Sequence, residues 1–394
     1  MITYRQAQDI ILTQARSFGT EIIGIDEADG RVLAEDILAD RDYPPFNRSA
    51  MDGYAIRLED WNKGIREFNI QEIILAGTSP GNELLPGAAF KIMTGAAVPS
   101  PANCVIRRED TEESNGRVKL RNESLQILQN IATQGEDLKK GDLAIPALTT
   151  CSPAIISTLA TIGKANIPVR RLPSVAILTT GDEVKPIGED ISPLEIRNSN
   201  YYLIKALLKK WQISPLFSEH IADKKETIRE VLKKAFSADI IIMSGGVSAG
   251  DADYVPGVLE ELGVKKLFHK VAIKPGKPIC CGKAPGGTMI FALPGNPFST
   301  FVTFKLFVET YLNASVNNKP LNELHSSFSG KRRKKTSLDE FFPARFNPSG
   351  TSVEATALNG SGDIRLGTDA EILALHPAQL DEINTGQLIT YFKM

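Results

Sequence analysis

The segment Ser174-Val-Ala-Ile-Leu-Thr-Thr-Gly-Asp-Glu183 decides the fold. An apolar run of strand length ends abruptly in two threonines, a glycine and two acids, which is how a buried strand delivers polar groups to the edge of a sheet. The figure recurs in Ala238-Asp-Ile-Ile-Ile-Met-Ser-Gly-Gly246 and in Gly287-Thr-Met-Ile-Phe-Ala-Leu-Pro-Gly295, with helical spacing between. The alternation predicts strands over Val175–Thr180, Pro215–Ile221, Asp239–Ser244 and Thr288–Leu293. It predicts helices over Asn198–Trp211, Lys224–Phe236, Tyr254–Leu262 and Pro297–Leu312. That rhythm belongs to an open α/β sheet covered by helices on both faces.

Upstream the chain reads differently. Ala7, Ile10, Ile11 and Ala15 recur at helical spacing until Gly19, and the prolines of Asp42-Tyr-Pro-Pro-Phe46 forbid a helix. From about Tyr54 to Gln134, short apolar runs such as Ile70–Leu75 and Cys104–Arg107 sit between glycine and proline clusters, the composition of a small β-rich domain. Helical spacing returns at Ser152–Ile162, so the β-rich piece reads as an insertion. After about Asn318 short, glycine-punctuated segments resume. The expected division is an N-terminal linker domain from residues 1–41 and 138–173, an inserted β-rich domain at 42–137, an α/β domain at 174–320 and a C-terminal β domain at 321–394.

Composition agrees with this plan and narrows the function. A chain of 394 residues is too long for one core, and 42% hydrophobic with 23% charged residues is ordinary globular usage. A formal charge of −2 offers no long-range attraction to nucleic acid or anionic lipid, so an anionic substrate needs a local site. The run Lys331-Arg-Arg-Lys-Lys335 has no interleaved aromatics and reads as a solvated inter-domain loop. Cys104, Cys151, Cys280 and Cys281 show no CxxC spacing, which argues against structural zinc and a disulfide framework. The N-terminus lacks a basic segment before an apolar stretch, and no run of about 18 apolar residues occurs. The expectation is a cytoplasmic protein with reduced thiols that binds neither nucleic acid nor membrane.

Ligands of open α/β sheets bind at the carboxyl ends of the strands, so the residues just after each apolar run carry the chemistry. Thr179-Thr-Gly-Asp-Glu183, Ala222-Asp223, Ser244-Gly-Gly-Val-Ser-Ala-Gly-Asp-Ala-Asp253 and Leu293-Pro-Gly-Asn-Pro297 would share one rim. Two of these loops are glycine-rich and precede helices, where amide groups and the helix dipole attract phosphate; as single features they are also ordinary tight connections. The rim carries Glu183, Asp223, Asp251 and Asp253, and carboxylates beside a phosphate repel it unless a cation intervenes. Hard oxygen donors without histidine or cysteine suit Mg²⁺ better than zinc. Asp253, just before Tyr254, is equally placed to cap the following helix, and the two roles are compatible. Lys270, Lys274 and Lys277 lie on a strand-like run, His269 to Pro278, where Lys270 and Lys274, four apart, face the same side and suit a diphosphate or oxyanion. Upstream, Asn47 to Tyr54 and Lys91 to Ala96 are polar, glycine-bearing stretches that no core explains; Asp52 and Thr94 are candidates to complete a site across a domain or subunit boundary. The histidines read as structural or surface groups, and no serine or cysteine carries a nucleophile signature.

Taken together, Pro45-Phe-Asn-Arg-Ser-Ala-Met-Asp-Gly-Tyr-Ala55, Ile92-Met-Thr-Gly-Ala96, Gly135-Glu-Asp137, Thr180-Gly-Asp-Glu183, Arg197-Asn-Ser-Asn200, Ser244-Gly-Gly-Val-Ser-Ala-Gly250, Lys274-Pro-Gly-Lys-Pro278 and Leu293-Pro-Gly-Asn-Pro297 resemble the molybdopterin molybdenumtransferase family, MoeA in bacteria and the E domain of gephyrin in animals. The resemblance runs from about residue 1 to 320. It implies an α/β multidomain fold: a central open, MogA-like molybdopterin-binding domain, an inserted β-rich domain and a small C-terminal β-barrel-like domain. It implies a homodimer with a cross-subunit cleft, and a Mg²⁺-dependent reaction in which adenylylated molybdopterin and molybdate give molybdenum cofactor and AMP. Molybdopterin adenylyltransferase and molybdoenzymes are the implied upstream and downstream partners. By motif match the implied catalytic positions are Asp52, Thr94, Asp137, Glu183, Asp223, Asp253, Lys270 and Lys274, with Glu183, Asp223 and Asp253 as metal ligands. The implied substrate-binding positions are Ser244, Gly245, Gly246, Ser248, Gly250, Pro294, Gly295, Asn296, Pro297, Arg345 and Ser361. Pro101-Ala-Asn-Cys-Val-Ile106 departs from the family's usual Gly-Ala-Asp before an apolar run. The α/β domain by itself also resembles the adenylyltransferase, and the gephyrin likeness allows a scaffold role; the acid and lysine set favours catalysis.

Overall fold

In the computed structural model, which describes residues 1–79, 81–246, 254–317, 319–365 and 368–394, the decisive segment is the second strand from one edge of a six-stranded sheet. Its strands are β1 (Val175–Thr180), β2 (Phe217–Ile221), β3 (Ile240–Ser244), β4 (Lys265–His269), β5 (Cys280–Lys283) and β6 (Met289–Leu293). The spatial order is β2-β1-β3-β6-β5-β4. The pairs β2–β1, β1–β3 and β3–β6 are parallel, and β6–β5 and β5–β4 antiparallel. The chain leaves β1 toward one side and returns to pair on the other, so a crevice opens at the carboxyl ends of β1 and β3.

Burial follows from this placement. Every residue of β1, β3 and β6 is buried, as a parallel strand covered on both faces requires. Alternate side chains enter two different cores: Val175, Ile177, Ile240, Ile242 and Phe291 face helix Ser199–Lys209 and the helix beginning at Pro297, whereas Ala176, Leu178, Ile241, Met243 and Ile290 face helices Lys225–Ala235 and Val255–Glu261. The helix from Pro297 continues through π-helical turns at Phe304–Val308 and Asn313–Asn317, beyond the expected end at Leu312. The antiparallel pair β4 and β5 was not among the four expected strands.

The chain divides into two compact units, residues 1–21 with 170–394, and residues 22–169. In the first unit, helix Tyr4–Leu12 starts with a reciprocal cap between Thr3 and Gln6 and buries Tyr4, Ala7 and Ile11 in the α/β core. Gln8 fixes it further, its amide donating to Leu306 O and Thr310 Oγ1 at 3.1 and 3.3 Å. The apolar face of this helix packs on the α/β layer, in the unit that also holds residues 170–394. The C-terminal strands Asp339–Phe346, Ser352–Ala355, Leu324–Phe328, Leu388–Lys393 and Ile372–His376 pair in that order, and the last pairs back with the first, closing a small barrel. Phe328, Phe342, Val353 and Ile389 fill it, while Phe341, Leu373, Leu375 and Phe392 point outward into the α/β core.

The second unit contains a core of Ile23, Leu33, Ile37, Ile145, Leu159 and Val169, drawn from both ends of its sequence. Between them lies a six-stranded sheet with apolar clusters around Phe68 and Phe90. Gly53 sits where this sheet is tightest: a Cβ there would overlap the Ile106 carbonyl, so no larger residue fits. Among the described residues no helix is long and apolar enough to cross a membrane.

Candidate active-site cleft

The tip of β1 is shaped by Gly181, whose φ of +131° turns the chain so that the Glu183 carboxylate folds back over it. Asp182 Oδ1 accepts the Asp223 amide at 3.1 Å, tying the tip of β1 to the loop after β2. At the tip of β3, Gly245 and Gly246 have φ of +98° and +66°, and a Cβ on Gly245 would lie 2.7 Å from the Thr180 carbonyl oxygen. Glycine is thus required by both conformation and space. Asn198 Nδ2 donates to Thr179 Oγ1 at 2.8 Å while its Oδ1 caps the following helix at Tyr201 N, 3.1 Å. Asn200 Nδ2 reaches Ser244 Oγ at 2.8 Å and Gly295 O at 2.6 Å, pinning the tips of β3 and β6 together. At the tip of β6, Asn296 Nδ2 donates to Ser361 Oγ at 3.0 Å, and Ser361 O accepts the Phe298 amide at 3.2 Å.

These tips, the segment Ile273 to Pro278 and the barrel enclose a cleft of about 1410 Å³. Glu183, Asp223, Ser244, Gly245, Gly246, Lys274, Pro294, Gly295, Asn296, Pro297 and Ser361 line it together. Ser248, Gly250, Asp251 and Asp253 lie outside the described residues. Thr180 Oγ1 and Asn200 Oδ1, buried polar atoms on this lining, have no hydrogen-bond partner among the described residues. A buried hydroxyl and a buried amide oxygen of this kind call for polar partners. Arg197, Lys274, Lys277 and Arg332 face the cleft against Glu183, Asp223 and Glu340, a balance among the described residues that admits an anion.

Two expectations change here. The run from His269 to Pro278 is not one extended segment: β4 ends at His269, Lys270 takes a left-handed φ of +67°, and the next strand is Ile273–Lys274. With the strand broken between them, the rule that placed Lys270 and Lys274 on one face does not apply; Lys274 and Lys277 line the cleft and Lys270 does not. Arg345 is half exposed and pairs with Glu354, its cross-strand neighbour, at 3.3 Å; it too is absent from the lining.

The run Lys331 to Lys335 is also not a solvated loop. Lys331–Arg333 is a strand paired with Glu382–Asn384. Lys334 is buried, its ammonium donating to Leu338 O and Pro377 O at 3.0 and 2.5 Å. Arg332 and Glu340 are cleft residues that the sequence reading missed. Lys274 and His376, which tie them into the cleft wall, are remote in sequence, and the local signal was an arginine flanked by two basic residues on an alternating strand.

In the second unit, Asp52 Oδ1 accepts both the amide and the hydroxyl of Thr94 at 2.7 Å. Those two donors, with Arg108 nearby, hold the Asp52 carboxyl below the usual carboxylate range. Asp137 is exposed, its amide bonded to Tyr43 O at 3.0 Å.

Comparison with known proteins gives a consistent picture. Residues 2–163 match the MoeA N-terminal region (domain I and II), and residues 176–314 match a probable molybdopterin binding domain. The molybdopterin molybdenumtransferase of Staphylococcus epidermidis is 37% identical over 324 residues, 81% of this chain and 77% of that protein. That of Bacillus subtilis is 36% identical over 311 residues, 76% and 71% of the two chains. A solved molybdopterin biosynthesis moeA protein from Pyrococcus horikoshii aligns over 100% of both chains at 28% identity with a TM-score of 0.85.

Proposed function

Since the chain belongs to the molybdopterin molybdenumtransferase family, we propose that adenylylated molybdopterin and molybdate enter this cleft and that molybdenum cofactor and AMP leave it. The protein is a transferase of molybdenum cofactor biosynthesis. The observation that carries the site assignment is the convergence of Glu183, Asp223, the glycine tip of β3, Lys274 and the buried Thr180 Oγ1 and Asn200 Oδ1, unpartnered among the described residues, on one cleft.

Each group has a task that its chemistry explains. The Gly245 amide is spent on the Leu293 carbonyl at 3.2 Å, so the Gly246 amide and the Thr180 hydroxyl are the donors to phosphoryl oxygens, and glycine allows the close approach. Lys274 and Lys277 neutralise the anionic substrate as point charges that follow it. Asn200 sets the spacing between the tips of β3 and β6. Glu183 and Asp223 are the described residues that fit Mg²⁺, which takes one or two carboxylates together with phosphate oxygens. Among the described residues no group of three acids, histidines or cysteines is assembled for a metal, and Asp253, the third member of the expected set, lies outside them. When bound, the ion supplies charge neutralisation at the diphosphate. The reading includes a homodimer in which Asp52 and Thr94 of a second copy, an exposed and preset polar pair, complete the cleft, with Asp137 nearby in the family pattern. It includes a cytoplasmic setting, the adenylyltransferase as supplier and molybdoenzymes as recipients.

The test uses the purified chain with Mg²⁺, molybdate and adenylylated molybdopterin, following AMP by chromatography. Asp223→Ala is expected to reduce AMP release by roughly a hundredfold or more while the melting temperature stays at that of the parent. Undiminished turnover in that variant removes the acid pair from the mechanism.

A further inference from the structure

The barrel wall of the cleft carries a charged cluster that joins Lys274 to residues with no role assigned so far. On strand Lys331–Arg333, alternate side chains face opposite ways. Lys331 and Arg333 pair with Glu382 at 2.9 and 3.2 Å. Arg332 turns the other way and joins the cleft lining, its guanidinium 4.1 Å over the Phe342 ring. There it donates to Glu340 Oε2 at 3.0 Å and to His376 Nδ1 at 2.7 Å. Glu340 is 5% exposed, and its other oxygen accepts from Thr336 Oγ1 at 2.8 Å and pairs with Lys274 at 3.3 Å. Lys274 and Glu340 are direct partners in a parallel strand pair, so the register itself brings them together.

The protonation pattern of this cluster is determined by its donors. A guanidinium has five N–H groups and no acceptor, so the His376 Nδ1 it meets must be unprotonated. Nε2 then carries the proton and donates to Leu380 O at 2.9 Å. His376 is fully buried and neutral in this arrangement, and it fixes the direction of the Arg332 fork. The two cations differ in freedom. The Lys274 side chain is 55% exposed, against 21% for Arg332 and 7% for Glu340. Lys274 is anchored at one oxygen and can follow a ligand; Arg332, held by a carboxylate, an imidazole and a ring, stays where it is while its uncommitted N–H groups remain available.

We propose that Glu340 is a positioning residue of the cleft: it holds Lys274 and Arg332 side by side as a preset pair of cations for a tetrahedral oxyanion, with His376 fixing the direction of Arg332. The inference rests on the function proposed above and deepens it, because phosphoryl groups and molybdate share this chemistry. A buried carboxylate between two cations is poorly explained as a stabilising device, since burying charge costs much of what pairing returns. As a device that sets the separation of two cations before substrate arrives, it is fully used.

The experiment compares Glu340→Gln, Glu340→Asp and Glu382→Gln in the full chain, measuring affinity for inorganic phosphate, molybdate and AMP by calorimetry together with AMP release. Glu340→Gln is expected to weaken the oxyanion that uses the pair by roughly tenfold, raising KM for its substrate more than it lowers kcat. Glu340→Asp recovers part of the loss. Glu382→Gln, which removes ion pairs from the other face of the same strand, binds like the parent. Weakening of phosphate and AMP assigns the pair to the phosphoryl group, weakening of molybdate alone to the metal oxyanion. If Glu340→Gln melts early, Thr336→Val removes one hydrogen bond from the same carboxylate without a change of charge and shows the same selectivity at smaller size. Unchanged affinities for all three anions in well-folded Glu340→Gln or Thr336→Val, beside an active parent, overturn the positioning role alone. A parent that binds these anions but releases no AMP overturns the proposed function and leaves the positioning role to be judged on the binding data.

Discussion

The two walls of the cleft are built on opposite principles. The rim formed by β1, β3 and β6 is local: each contribution is an apolar run followed at once by its glycine, acid or proline, and the β1 and β3 tips are turned by the positive φ of Gly181, Gly245 and Gly246. The barrel wall is assembled at a distance: strand register sets Lys274 and His376 on either side of Glu340, and a side-chain hydrogen bond ties Arg332 to His376. At the β1 and β3 turns this local wall has no space for an added Cβ. A wall made by register tolerates changes in packing but depends on each charge meeting its partner.

That contrast orders the expected effects. Gly245→Ala adds a Cβ 2.7 Å from a backbone carbonyl at a residue with φ of +98°, and neither the rim nor the β1 tip has room to yield. It is expected to lower stability by about 3 kcal/mol or more, read from the midpoint of denaturant unfolding. Stability at the parent level would mean that the rim is not the rigid element described here. Lys274→Ala removes a mobile cation from the barrel wall without touching a core; kcat/KM for AMP release is expected to fall roughly tenfold to a hundredfold with little change in melting temperature. An equally large drop in stability would make that wall a structural joint.

The pH dependence of stability sharpens the contrast further. Burial, then the Arg332 and Lys334 charges, hold the His376 pKa below its ordinary value of 6.5. The unfolded chain therefore binds this proton more readily. The contribution is fully present above the unfolded value and is lost as pH falls through it toward the lower folded value. Denaturant midpoints at pH 8 and pH 5 should fall by more in the parent than in His376→Gln; an equal fall in both removes the histidine from the cluster. At the small end, Arg345→Ala breaks an exposed pair with Glu354 and is expected to cost at most about 0.5 kcal/mol. Its AMP release should match the parent within twofold, whereas Arg332→Ala should not.

The same contrast explains what could be read from the residues alone. The α/β sheet, its strand tips and most of the rim were legible because apolar periodicity and turn chemistry are contiguous in sequence. The stretches that carry Asp52 and Thr94 stood out as polar and glycine-bearing without a core to fill, but the hydrogen bonds between the two residues were not legible. The barrel wall was not legible: an inward Arg332 between outward Lys331 and Arg333 looks like any solvated basic run until the strand opposite is known. Lys270 and Lys274 were matched by a rule for continuous strands, which the left-handed turn at Lys270 suspends. The first helix illustrates a third limit, since Tyr4, Ala7 and Ile11 announce an apolar face without naming the layer it covers.

The most direct measurement of the central claim is a single-turnover experiment in which stoichiometric adenylylated molybdopterin is mixed with the purified protein, Mg²⁺ and molybdate. The account predicts AMP and molybdenum-bearing cofactor appearing in equal amounts, with both lost together in Asp223→Ala. AMP that appears without cofactor, or only when ATP and unmodified molybdopterin replace the adenylylated substrate, contradicts it.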